Sequence, residues 1–126
     1  MGYKNIIHEG REYYGRHVMI GAPKCNSALR DKDSIRKFIK ELVQKIDMVA
    51  FGEPFVERFG VGEEIGISAV QLIETSAITI HTNDGAGDLY LDVFSCKDFK
   101  TADVIDMVYH WFKPGVGVDV KDILRQ

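Results

Sequence analysis

The sequence predicts an α+β fold, a two-layer sandwich in which an antiparallel sheet carries two helices on one face. Three observations predict it: a one-sided apolar stripe from about residue 33, a second from residue 101, and three strand-like segments in a row between them. The 126 residues, 45% of them hydrophobic, suffice for one core, so residues 1–126 are expected to form a single domain.

Taken in order, residues 16–21 have β-type content and predict a first strand that ends before the Ala22-Pro23 loop, which holds Cys25. Ile35, Phe38, Ile39, Leu42, Val43 and Ile46 then recur at helical spacing, with Asp33 or Ser34 available as the cap. Residues 48–51 are a short strand candidate. Residues 52–64, with Pro54 and three glycines, read as an irregular loop. Strands are expected over 65–74, 77–82 and 89–95, the last two joined by the turn at 83–88, which makes an antiparallel meander. Thr101 caps a second helix with Val104, Ile105, Val108, Trp111 and Phe112 on one face. It stops before Pro114-Gly115, and 116–120 can add a strand.

Composition narrows the function classes. A net charge of −3 and a pI near 5.8, with no run of Lys or Arg among aromatics, argue against a nucleic-acid partner. No apolar run approaches the length of a membrane span and residues 1–12 are polar, so no membrane is implied and a cytoplasmic location is expected. Cys25 and Cys96 lie far apart and read as free thiols. His8, His17, His81 and His110 show no ligand spacing, and Asp84 with Asp88 lacks the further acids of a calcium loop, so no metal is expected. The glycines of residues 83–88 lie between two strands and do not open a helix, which makes them a hairpin loop and not a phosphate cradle.

The chemistry is concentrated in Glu74-Thr75-Ser76-Ala77-Ile78-Thr79-Ile80-His81-Thr82, followed by Asp92-Val93-Phe94-Ser95-Cys96. Taken singly, a serine beside a strand is usually surface, a histidine on a strand a satisfied half-buried residue, and a cysteine core. Together the two stretches resemble the signature of prokaryotic S-adenosylmethionine decarboxylases, in which Glu-Ser-His precedes Ile-His-Thr and then Asp-Val-Phe-Thr-Cys. The resemblance extends to Gly15-Arg16-His17 and to Phe112-Lys113-Pro114.

The resemblance implies a self-cleaving, pyruvoyl-dependent decarboxylase. It puts the cleavage between Thr75 and Ser76, assigns processing to His81 and Ser68, and makes Cys96 the catalytic cysteine. A serine hydroxyl is a poor nucleophile, so attack on the Thr75 carbonyl needs a base and groups that stabilise the oxyanion, roles His81 and Ser68 can share. Elimination and hydrolysis then leave a pyruvoyl group at position 76. That ketone is the implied cofactor; it forms a Schiff base with the substrate amine and takes up electrons as carbon dioxide leaves. Thiols with the ordinary pKa of about 8.5 are mostly protonated at neutral pH, which suits a cysteine to return a proton to carbon.

The implied substrate is S-adenosylmethionine, decarboxylated for spermidine biosynthesis. Phe55 or Phe59 is the candidate for stacking on it. Glycine occupies position 85, where the family places a ribose-binding glutamate, and Asp84 is the nearest substitute. Thr75 and Ala77 also depart from the family's Glu and His. These departures keep two other readings open: a pyruvoyl decarboxylase of another amine, such as arginine or ornithine, and a non-processing homologue acting as a binding or regulatory protein.

A homodimer with active sites at the interface is implied as well. Alternation supports it, since Leu89, Leu91 and Val93 line one sheet face while Tyr90 and Phe94 put apolar bulk on the other. Alternation also sets Ser76 and His81, five residues apart, on opposite faces, so their convergence requires a bulge or turn near Ser76.

Overall fold

The structure is a computed structural model, and it describes residues 3–126. Strands β1 (Ile6–His8) and β2 (Arg11–Tyr13) form a small hairpin through Glu9 and Gly10, both at positive φ. β3 (Gly15–Ala22) leads to helix α1 (Lys32–Lys45), then β4 (Phe55–Phe59), β5 (Gly66–Ile73), β6 (Ser76–Asn83) and β7 (Asp88–Ser95). Helix α2 (Thr101–Phe112) and β8 (Asp119–Arg125) complete the chain. The main sheet has six strands in the order β4-β5-β6-β7-β3-β8, every neighbouring pair antiparallel.

The expected α+β sandwich is what forms. Ile35, Phe38, Ile39, Leu42 and Val43 of α1 and Val104, Met107, Val108 and Phe112 of α2 are buried, and they meet Val18, Ile20, Ile67, Ala69, Ile78, Ile80, Leu89, Leu91 and Val93 of the sheet. Phe38 joins the two helices, its ring 4.9 Å from that of Phe112 in a T-shaped contact. Both helices lie over one sheet face, and the other face is open. No helix among the described residues is long and apolar enough to cross a membrane.

Several boundaries differ from the sequence reading. Asp31, and neither Asp33 nor Ser34, caps α1: its carboxylate accepts the Ser34 N–H at 3.3 Å and the Ser34 hydroxyl at 2.7 Å. Thr101 is the first helical residue of α2, not its cap, because its hydroxyl is drawn away to Asp122 at 2.6 Å. Residues 48–51 make no strand beyond a single bridge from Ala50 to Ile73.

Within the expected loop, Phe55–Phe59 forms the edge strand β4, which borrows its order from the β5 backbone. Pro54, immediately before it, is tolerated at a sheet edge. The last strand begins at Asp119 and not at Val116, because Gly117 at φ 107° still belongs to the turn. The β1–β2 hairpin was not anticipated at all.

Candidate active site

Ser76 is the first residue of β6, directly after the two-residue turn Glu74-Thr75 that closes the β5–β6 hairpin. Its cross-strand partners are Ile73 and Ser95. β7 ends at Ser95, and the next residue, Cys96, turns its backbone N–H onto the Thr75 carbonyl at 3.0 Å. The Thr75 hydroxyl lies 2.7 Å from that of the fully buried Ser95, and both are near Met48 Sδ, at 3.4 and 3.5 Å. The carbonyl implied as the point of attack is therefore polarised by one backbone donor, in a corner lined by hydroxyls.

His81 sits five residues along the same strand. Its Cα partners are Ser68 and Tyr90, and its Nδ1 is 2.8 Å from the Ser68 hydroxyl. This pair is exposed on the open face. Phe55 and Phe59 stand on the same face, flanking Glu57, the cross-strand partner of Ser68. Both rings are about two-thirds exposed, at 66% and 62%.

The eight candidate residues thus fall into two groups, Thr75-Ser76-Cys96 at one end of β6 and Ser68-His81 with the two phenylalanines toward the other, leaving Asp84 apart. Unbroken pairing runs from Ser76 to Asn83, so β6 has no bulge. At about 3.3 Å per residue, Ser76 and His81 are roughly 17 Å apart and on opposite faces. The turn anticipated near Ser76 exists, but it does not bring Ser76 and His81 together within one chain, because a regular ladder leaves no slack to do so.

Asp84 follows β6 in the loop to β7. Arg58 Nε donates to its Oδ2 at 2.9 Å, Arg30 grips its backbone carbonyl at 2.8 and 3.1 Å, and its Oδ1 is buried without a partner. The carboxylate nearest to position 85 is therefore already occupied by a guanidinium.

Other residues near the candidate site were not put forward as site residues from sequence. Toward the turn end, the open face carries Phe94, with Tyr14 at 6.0 Å, His17 at 5.8 Å and the Arg125 guanidinium 4.7 Å from its ring centre. His17 Nε2 also lies 3.0 Å from Asp92. Ser95 had a signal, a hydroxyl residue immediately before the cysteine of the motif, but its bond to Thr75 spans 20 residues and only the fold reveals it.

The family model for S-adenosylmethionine decarboxylase matches residues 16–126. The S-adenosylmethionine decarboxylase proenzyme of Thermodesulfovibrio yellowstonii is 31% identical over 85 residues, which cover 67% of this chain and 60% of that protein. The proenzyme of Pyrobaculum aerophilum is 33% identical over 92 residues, 71% of this chain and 70% of that protein. Among solved structures, the adenosylmethionine decarboxylase from Aquifex aeolicus superposes with a TM-score of 0.75 at 22% identity, covering 90% of this chain and 91% of the other, a likeness of fold.

Proposed function

We infer the function from one premise: the chain belongs to the S-adenosylmethionine decarboxylase family. We propose that it is a pyruvoyl-dependent S-adenosylmethionine decarboxylase of spermidine biosynthesis that cuts its own backbone between Thr75 and Ser76. The observation that carries this reading is the Thr75 carbonyl, held by the Cys96 N–H at 3.0 Å directly before Ser76. A donor aimed at a carbonyl oxygen strengthens as that oxygen becomes an anion, so it favours attack over the resting amide.

The pyruvoyl group left at position 76 supplies a ketone, which serves as the electron sink when the substrate loses carbon dioxide. The residues around Ser76 fit such a group. Cys96 follows the strand that pairs with position 76, which suits its thiol to deliver a proton there. The cut strand stays anchored by the β5–β6 and β6–β7 ladders.

His81 and Ser68 reach Ser76 only across a dimer. Leu72 and Tyr90, each 51% exposed, stand with Phe55, Phe59, Val70 and Ile123 on the open face, an apolar surface that a second copy would cover. A two-fold axis in that plane, perpendicular to the strands, sets each protomer's His81 end over its partner's Ser76 end. The base and the nucleophile of one cleavage then come from two chains. Phe55 and Phe59, beside Ser68, are placed to stack on a substrate in the same cleft.

Intact mass spectrometry on purified protein tests the reading. Fragments 1–75 and 76–126, the second with a blocked N-terminus, are expected, together with carbon dioxide release from carboxyl-labelled S-adenosylmethionine; Ser76→Ala yields neither. A wild-type chain that keeps its full mass indefinitely contradicts the proposal and leaves the non-processing binding or regulatory homologue. A second reading, decarboxylation of a smaller amine such as arginine or ornithine, draws on the absence of a glutamate at Gly85 and on Asp84 beside it, whose Oδ2 is engaged by Arg58 and whose Oδ1 is buried away from a ribose. Carbon dioxide release from those amines, and not from S-adenosylmethionine, decides for it.

A further inference from the structure

We propose that Ser95 is a positioning residue for the self-cleavage, tethering both the carbonyl that is attacked and the backbone donor that stabilises it; this rests on the reading that the chain is cut between Thr75 and Ser76. Ser95 is completely buried and is the cross-strand partner of Ser76. Its Oγ accepts the Lys97 N–H at 3.0 Å, which shapes the turn on which Cys96 sits, and lies 2.7 Å from Thr75 Oγ1. One hydroxyl therefore grips both sides of the Cys96 N–H to Thr75 carbonyl bond.

The hydrogen-bond count closes. Two hydroxyl protons serve two acceptors: one hydroxyl donates to the other, and the second donates to Met48 Sδ, 3.4 Å from Thr75 Oγ1 and 3.5 Å from Ser95 Oγ. The Lys97 N–H fills a remaining lone pair on Ser95. The thioether is a weak acceptor, so the network relies on the hydroxyl pair.

The step served is the acyl shift. A bond forms from Ser76 Oγ to the Thr75 carbonyl carbon, the Thr75 C–N bond breaks, and the hydroxyl proton ends on the freed Ser76 nitrogen, with no other reagent consumed. During the attack the carbonyl oxygen carries negative charge toward the Cys96 N–H. A displacement of about 1 Å in such a pair can cost a hundredfold in rate, so a tether on donor and acceptor together acts on the chemistry as well as on the fold.

Cleavage rates by intact mass, with thermal midpoints measured alongside, test the assignment. Ser95→Ala is expected to slow cleavage about tenfold to a hundredfold, and Ser95→Thr, which restores a hydroxyl, to recover most of the lost rate. Thr75→Val, nearly isosteric and less exposed to folding failure, should reproduce the defect, and the double variant should be little slower than either single one. Hydroxylamine cuts an ester only after the shift, so it should not rescue Ser95→Ala. Ser95→Ala and Thr75→Val cleaving within about twofold of wild type overturn the assignment, as does full rescue by hydroxylamine. If wild type itself never cleaves, the proposed function fails first and this inference falls with it.

Discussion

At its first residue β6 lies in a partly buried corner where backbone and hydroxyls are held from several sides; five residues on, it presents His81 to solvent on the open face with a single hydroxyl partner. The turn end is ordered by atoms of its own chain, as the proposed cut between Thr75 and Ser76 requires. The far end is open to solvent on one side, although its strand pairing is just as regular. Rigid pairing can aim a carbonyl to within tenths of an ångström. It cannot fold back a strand to bring its two ends together, and in the proposed dimer that task passes to a second chain.

Mixing variants tests this division most directly. His81→Ala and Ser76→Ala should each fail to cleave alone, whereas co-refolded together they should cleave the His81→Ala chain, because its Ser76 meets the intact His81 of the other protomer. The expected gain is from none to about half of those chains, given random pairing into dimers. Cleavage by mass that stays at zero in the mixture, with mixed dimers verified, places His81 in its own chain's site.

Loosening the open face should separate the two ends by a smaller amount. Leu72→Asp adds a charge at a half-exposed position, so the protomer should lose no more than about 1 kcal/mol. The dimer should weaken, and cleavage should become concentration-dependent. Light scattering and cleavage time courses at two concentrations check this; an unchanged dimer means another surface mediates assembly.

Gly85→Glu sharpens the view of the far end. A Cβ at Gly85 would meet nothing closer than Asn83 Oδ1 at 3.8 Å, and Gly85 is not at positive φ, so the loop can carry the longer side chain. A carboxylate free of Arg58 should tighten S-adenosylmethionine binding by about 1–3 kcal/mol, roughly fivefold to 150-fold, in calorimetry. No change in affinity indicates that ribose is not bound there.

The smallest effect concerns the two cysteines, which mark the two ends. Cys96 adjoins Thr75, while the Cys25 N–H is bonded to Gly87 in the β6–β7 loop. Burial, aided by the negative charge of Asp88, pushes the Cys25 thiol up to about 11. The folded state keeps this proton where the unfolded chain releases it, so the contribution to stability is complete below pH 9 and is lost as pH rises toward 11. A thermal midpoint that falls across this window, and falls less in Cys25→Ala, is the expected result, with alkylation of Cys25 slow at pH 8.

Much of this was legible beforehand, for reasons that differ by region. α1, α2 and the strands β5, β6 and β7 carry their period in their own side chains, because each buries one stripe or one face. The edge strands β4 and β8, and the β1–β2 hairpin, are ordered by partner backbones, and a backbone hydrogen bond leaves no mark on side-chain pattern. At the candidate site, the resemblance to the family's motif marked Ser76, His81, Cys96 and Ser68 as candidates, since that motif is a matter of order along the chain. Which of them meet was decided by the tertiary structure. Antiparallel pairing set Ser68 opposite His81 and Ser95 opposite Ser76, while the pitch of a strand kept Ser76 and His81 apart, and neither relation is expressed in a linear sequence.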